Sequence, residues 1–180
     1  TYADLLVLPE GERWELLDGE AYMMGQPTTA HQRALGDLFY QLYAFLKGKP
    51  CEAFPAPFGV RLFPKADKSD DTVFEPDIVV VCDASKISDR GCNGAPDLVI
   101  EILSPSTATN DLLSKFNKYH DAGVREYWIV DIDKRSVAVY HFEKNGFLPA
   151  IHTVNEDGAL AVNVLPGCTV DLKAVFAERP

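Results

Sequence analysis

The chain is poor in the features that most often give a function away. Its 180 residues hold four cysteines, Cys51, Cys82, Cys92 and Cys168, and no two stand in a CxxC spacing. No Cys/His cluster has zinc-site spacing, and His120, His141 and His152 share no ligand pattern. P-loop, GxGxxG and HExxH signatures are all absent. Ser104-Pro105-Ser106-Thr107 lacks the GxSxG frame of a hydrolase elbow and reads as the end of a strand and the cap of a helix. No apolar run approaches the ~20 residues a membrane helix needs. Basic residues are outnumbered too, seventeen against twenty-seven acids, for a net charge of -10 and a pI near 4.8. Such an average opposes a broad non-specific grip on nucleic acid; it favours solubility and, where acids cluster, divalent cations. The cysteines read as reduced thiols of a cytoplasmic protein without disulfides, Cys82 as a small core residue. Residue 1 is Thr rather than Met, which leaves room for a processed N-terminus.

What is present describes a globular chain. Hydrophobic residues make up 47% and charged ones 24%, and the length fits a single domain spanning residues 1–180. Asp18-Gly19 between two apolar runs predicts a hairpin over 14–24. Thr29 and Gln32 form a capping box opening a helix, whose apolar face carries Leu35, Leu38, Phe39, Leu42, Tyr43 and Leu46 and which Gly48 and Pro50 stop. A strand follows at 58–63, then a charged mobile loop at 65–72. Strands at 78–82 and 98–103 enclose a loop at 83–96. A second helix runs over 111–122 with Gly123 past its end, and strands at 126–131 and 136–142 surround an Asp133-Lys134 turn. Asn145-Gly146 and Asp157-Gly158 mark further turns of a C-terminal meander. The order predicts an α/β (α+β) domain on a mixed sheet.

The most informative feature is a repeated dipeptide, Pro76-Asp77 and Pro96-Asp97, each opening an apolar strand. The second strand carries a carboxylate in its interior, Glu101, where desolvation costs several kcal/mol unless a partner offsets it. If the two strands pair antiparallel, Asp77 and Glu101 meet at one end of the ladder. Two adjacent carboxylates repel unless a cation lies between them. Asp77, Glu101 and the Ile102 carbonyl therefore outline a site for Mg²⁺, with Mn²⁺ as a substitute. The helix after Glu101 offers Lys115 and Lys118. Asp111, Lys115 and Tyr119 fall on one stripe beside Leu112 and Phe116, so Lys115 lies nearer the sheet than an ordinary surface lysine. His31 opens the first helix, at an N-terminus that attracts phosphate.

The string Pro76-Asp77…Pro96-Asp97-Leu98-Val99-Ile100-Glu101-Ile102-Leu103-Ser104-Pro105-Ser106-Thr107 resembles the Uma-type family of restriction endonucleases, as does Asp111-x3-Lys115-x3-Tyr119-x3-Gly123-Val124-x-Glu126-Tyr127-Trp128-Ile129-Val130-Asp131. The likeness extends to Glu15…Asp18-Gly19-Glu20 and to His31. It implies a restriction-endonuclease-like fold of the PD-(D/E)XK type with an αβββαβ core, and Mg²⁺-dependent cleavage of DNA. Asp77 and Glu101 are then metal ligands and catalytic residues, while His31 and Lys118 bind substrate. The pattern places a lysine two residues after the Glu; here that position is Leu103, and the resemblance implies that Lys115 takes the role. A homodimer is expected by analogy with the fold, since a double-strand cut needs two sites.

Each assignment has a plainer counterpart. Asp77 can satisfy turn amides, Glu101 can be a structural buried acid, and Lys115 can form a surface pair with Asp111. Glu15 and Glu20, beside the hairpin turn, are expected to face solvent, the alternative being that one of them completes the metal shell, and Tyr127-Trp128 to be core and dimer-facing strand. A basic strip of Arg61, Lys65, Lys68, Lys115 and Lys118 would reconcile DNA binding with the acidic average. The competing functional readings are a nuclease-fold protein that binds nucleic acid or a protein without cleaving, and a metallohydrolase of small phosphoesters.

Overall fold

The computed structural model describes residues 1–9, 11–103, 109–145 and 148–178. A short helix α1 (Tyr2–Leu5) precedes the hairpin β1 (Trp14–Leu17) and β2 (Glu20–Met23), followed by helix α2 (Thr29–Leu46). Strands β3 (Glu52–Pro55), β4 (Val60–Arg61), β5 (Val73–Phe74) and β6 (Ile78–Val81) come next, then β7 (Ile87–Ser88), β8 (Gly91–Asn93) and β9 (Leu98–Ile102). Helix α3 (Thr109–Ala122) leads to β10 (Glu126–Asp131), β11 (Ser136–His141), α4 (Phe142–Asn145) and β12 (Ala150–Thr153). Strands β13 (Ala159–Ala161) and β14 (Thr169–Asp171) and helix α5 (Leu172–Val175) complete the order.

The central sheet has the strand order β12-β11-β10-β9-β6-β3. Strand β9 pairs antiparallel with β6 and parallel with β10, so α3 is the crossover that a parallel pair requires. Read along the chain, α2-β3-β6-β9-α3-β10 is the αβββαβ succession, and the sheet is mixed as expected. A second sheet, β2-β1-β5-β4-β8-β7, is formed by the hairpin and the segments between β3 and β9.

The two faces of the central sheet are covered by different elements. Ile78, Val80, Leu98, Ile100 and Ile102 pack with Leu35, Leu38 and Leu42 of α2 and with the C-terminal Leu160, Val170 and Leu172. The alternate residues Val79, Val81 and Val99 pack with Phe116 and Tyr119 of α3 and with Val60 and Phe74 of the second sheet. Period-two alternation thus delivers each strand to two cores. Among the described residues no helix is long and apolar enough to cross a membrane.

Several local expectations need correction. Thr28, not Thr29, caps α2, accepting the His31 amide at 3.2 Å. Strand β4 is only Val60–Arg61. The presumed loop at 83–96 contains the β7–β8 hairpin, which pairs through Ile87↔Cys92. The charged 65–72 segment is pinned, because the fully buried Asp70 carboxylate receives Arg61 Nε at 2.7 Å and Nη2 at 2.6 Å. Those bonds engage the Arg61 guanidinium. Cys51 and Cys82 form a disulfide, against the reduced, disulfide-free expectation. They fall opposite one another just beyond the β3–β6 partners Glu52 and Val81, a proximity no spacing along the chain reveals. Tyr127 and Trp128 have no exposed surface, so both are core, as expected. Asp18-Gly19 turns the hairpin with φ of 52° and 84°, as a two-residue loop of primed type requires. The Ser104–Thr107 and Gly146 expectations, and the side chains of Asp111 and Leu112, lie outside the described residues.

The C-terminal layer is tied to β10 through one buried acid. Glu126 is fully buried and accepts Trp128 Nε1 at 2.7 Å, Val164 N at 2.8 Å and Asn163 Nδ2 at 3.2 Å. Truncation would orphan all three donors. Glu126→Ala is expected to lower stability by about 2–4 kcal/mol, read as a shift of the urea midpoint; an unchanged midpoint would disprove this role.

Candidate active site

Asp77 stands immediately before β6, and Glu101 is the fourth residue of β9. The register Ile78↔Ile100 sets the two carboxylates across from each other at one end of the ladder. Both side chains lie on the Val79–Val99 face, toward α3 and the second sheet.

The two Pro-Asp dipeptides perform the same local task. Asp77 Oδ2 accepts the Ile102 amide at 2.7 Å, and Asp97 Oδ2 accepts the Cys82 amide at 2.8 Å. Each aspartate therefore closes the far end of the neighbouring antiparallel strand. Their second partners differ: Asp97 Oδ1 takes Arg125 Nη1 at 3.2 Å, whereas Asp77 Oδ2 takes His31 Nε2 at 3.2 Å. Burial works to depress the His31 imidazole, but the hydrogen bond to Asp77 and its charge outweigh it, so its pKa lies above the usual value.

Glu101 is only 12% exposed at its side chain. Its Oε1 accepts the Tyr119 hydroxyl at 2.7 Å and lies 3.4 Å from Lys115 Nζ. Burial pushes its carboxyl up to about 7; the Lys115 ammonium opposes that rise, and the Asp77 and Glu15 charges add to it. Burial and the Glu101 charge also raise Tyr119 well above a normal phenol, so it remains a proton donor.

Lys115 is not a surface lysine. It is 7% exposed at its side chain and bonds Glu15 Oε1 at 2.8 Å and Oε2 at 2.7 Å. Glu15 is itself buried, correcting the solvent-facing expectation for the hairpin acids; Glu20 is exposed as expected. Glu15 Oε1 also accepts the Glu75 amide at 2.9 Å, and Glu75 Oε2 accepts Arg13 Nε at 2.8 Å. Hairpin, helix and central sheet thus meet in a single polar cluster.

The cluster opens on a cleft of about 680 Å³ lined by His31, Asp77, Glu101 and Lys115, with Glu15, Glu75 and Arg13 beside them and Tyr22, Met23 and Leu35 as apolar wall. Of the site residues expected from sequence, Asp77, Glu101, Lys115 and His31 come together here. Lys118 does not line the cleft; its ammonium bonds Asp18 at the hairpin turn. Glu75 and Arg13 went unnoticed in the sequence, having no motif and no helical or strand spacing to mark them. Tyr119 was legible as the residue one turn beyond Lys115.

Among the described residues, no group of three or more His, Cys, Asp or Glu side chains is set to hold a metal ion. A shell built on Asp77 and Glu101 therefore needs backbone, solvent or substrate oxygens to complete it. The donor chemistry fits a hard cation. Asp77 Oδ1 and Glu101 Oε2 receive no hydrogen bond from the described residues, and Lys115 contacts two acids, Glu15 and Glu101.

A carboxyl that titrates near 7 when folded and near 4.5 otherwise binds more protons in the native state between those values. Native stability then declines as pH rises from about 5 to about 7 and levels off above. Melting temperatures in EDTA should follow that trend in the parent and lose much of it in Glu101→Gln; parallel profiles would refute the shifted carboxyl.

Residues 1–173 match the family described as "Uma2: Putative restriction endonuclease". "Uncharacterized protein slr1290" from Synechocystis sp. is 27% identical over 136 residues, 75% of this chain and 69% of that protein. The crystal structure of "a putative nuclease belonging to DUF820 from Anabaena variabilis" superposes with a TM-score of 0.77 at 21% identity, covering 98% of this chain and 97% of the other. The fold is therefore shared with that structure, and the match over nearly the whole length shows that this chain belongs to the Uma2 family.

Proposed function

We propose that the protein is a Mg²⁺-dependent endonuclease that hydrolyses DNA phosphodiesters in the Asp77–Glu101 cleft. The observation that carries this reading is the apposition of two strand carboxylates beside a buried lysine, in a chain of a nuclease family. Asp77, Glu101 and the Ile102 carbonyl would hold the ion. Bound there, Mg²⁺ would supply Lewis-acid polarisation of the phosphodiester and a more acidic water.

The remaining work falls to the protein. Asp77 is oriented by the Ile102 amide and by His31, so His31 acts as a positioning residue through Asp77. Tyr119 fixes one oxygen of Glu101 and leaves the other toward the cleft. Lys115, held by Glu15, places its ammonium where a phosphate brought to the two carboxylates would gain negative charge. Lys118 would meet the DNA backbone outside the cleft by exchanging its Asp18 partner for a phosphate. A double-strand cut would require two such sites, which a two-fold pair of chains supplies.

The second reading is a nuclease-fold protein that binds nucleic acid or a protein partner without cleaving. It is favoured by Lys115 lying closer to Glu15 than to Glu101 and by Leu103 at the usual lysine position.

Calorimetry with Mn²⁺ should show binding to the parent and at least tenfold weaker binding to Glu101→Gln. Below pH 7 the affinity should rise about tenfold per pH unit as Glu101 ionises, and flatten above it. No binding by the parent, even with a non-cleavable duplex present, would sink the metal site. Lys115→Ala should slow Mn²⁺-supported DNA cleavage by about a hundredfold or more while still binding the ion. Cleavage at the parental rate would remove Lys115 from the mechanism, and no cleavage by the parent would favour the second reading.

A further inference from the structure

The cleft is short of available positive charge for a polyanionic substrate. Glu15, Glu75, Asp77 and Glu101 line it. Two of its three basic side chains are enclosed: Lys115 is 7% exposed and bonded to both Glu15 oxygens, and His31 is 7% exposed and turned onto Asp77. Arg13 differs, with a third of its side chain exposed.

Arg13 is also held in a particular way. It immediately precedes β1, and its Nε donates to Glu75 Oε2 at 2.8 Å. Glu75 is anchored in turn, its amide bonding the same Glu15 that holds Lys115. Among the described residues, Nη1 and Nη2 of Arg13 make no hydrogen bond. Arg61, by contrast, turns a full edge, Nε and Nη2, onto the Asp70 carboxylate. One bound through Nε alone keeps its Nη1–Nη2 edge free, and that edge matches two oxygens of a phosphate.

We propose that Arg13 is a phosphate clamp of this cleft: fixed by Glu75, it grips a backbone phosphate of the nucleic acid strand whose scissile bond lies at Asp77 and Glu101. This rests on the DNA reading above and deepens it by naming the residue that binds the strand. The contact is to backbone rather than base, so it contributes affinity without sequence preference. It also offers a way for an acidic chain to admit DNA: the clamp is a partly exposed cation on the wall of the acid-lined cleft.

The test is fluorescence anisotropy of a short labelled duplex with Ca²⁺ in place of Mg²⁺, over a salt titration, for parent, Arg13→Gln and Arg13→Lys. Arg13→Gln should bind severalfold more weakly on every duplex sequence, and the slope of log affinity against log salt should fall by about one unit. Arg13→Lys should recover the parental slope, because an ammonium still meets the phosphate, but not the full affinity, because the Nε anchor is lost. Circular dichroism melting checks that both variants remain folded. Parental affinity and slope in Arg13→Gln would overturn the clamp and leave the nuclease reading standing. Absence of DNA binding by the parent would overturn both.

Discussion

The ammonium of Lys115 is the charge around which the molecule closes. It reaches Glu15 from the β1–β2 hairpin and Glu101 from the central sheet, and it does so from α3, so three separate elements converge on one nitrogen. Burying these groups carries a desolvation cost that pairing must offset. Glu15 is well served, by two contacts from Lys115 and the Glu75 amide. Glu101 is served less well, and burial, with the Asp77 and Glu15 charges adding to it, lifts its carboxyl toward neutral pH against the pull of Lys115. The same arrangement that holds the second sheet against the core therefore leaves Glu101 and Asp77 short of positive charge. A divalent cation would relieve that deficit, so packing and proposed chemistry share one electrostatic origin.

Asp77 and Asp97 show how one local solution acquires two meanings. Both follow a proline and both accept an amide at the end of the opposing strand, Ile102 for Asp77 and Cys82, just past β6, for Asp97. Asp97 ends beside Arg125, a permanent cation that neutralises it. Asp77 ends beside His31 and Glu101 on the cleft. The structural role of Asp77 is compatible with the role proposed for it, because the amide and His31 occupy only one of its oxygens. A carboxylate that is hydrogen-bonded through one oxygen is held in place and still presents the other.

The acidic average of the chain proved a poor guide to local charge. Arg61 is bound to Asp70 inside the second sheet, Lys118 to Asp18 at a turn, and Lys115 is enclosed by acids. Each of these cations has its own acid partner, and the charge offered to the cleft depends on which guanidinium or ammonium keeps open valences. Arg13 is distinguished by geometry rather than by composition.

Periodicity alone determined α2, α3 and the principal strands, because their apolar spacing has a single match to helix or strand and each buries on one or two faces. The antiparallel meeting of Asp77 with Glu101 was legible as well, since two apolar strands opened by Pro-Asp and a carboxylate in the second allow few registers. Tertiary structure alone decided the rest. Glu15 became buried only when β1 settled over α3, Cys51 met Cys82 only through the β3–β6 register, and Arg13 and Glu75 reached the cleft from segments more than sixty residues apart. These pairings join residues distant in sequence and carry no period. Short-range spacing encodes which face of an element is apolar; which polar groups meet across elements is set only when those faces pack together.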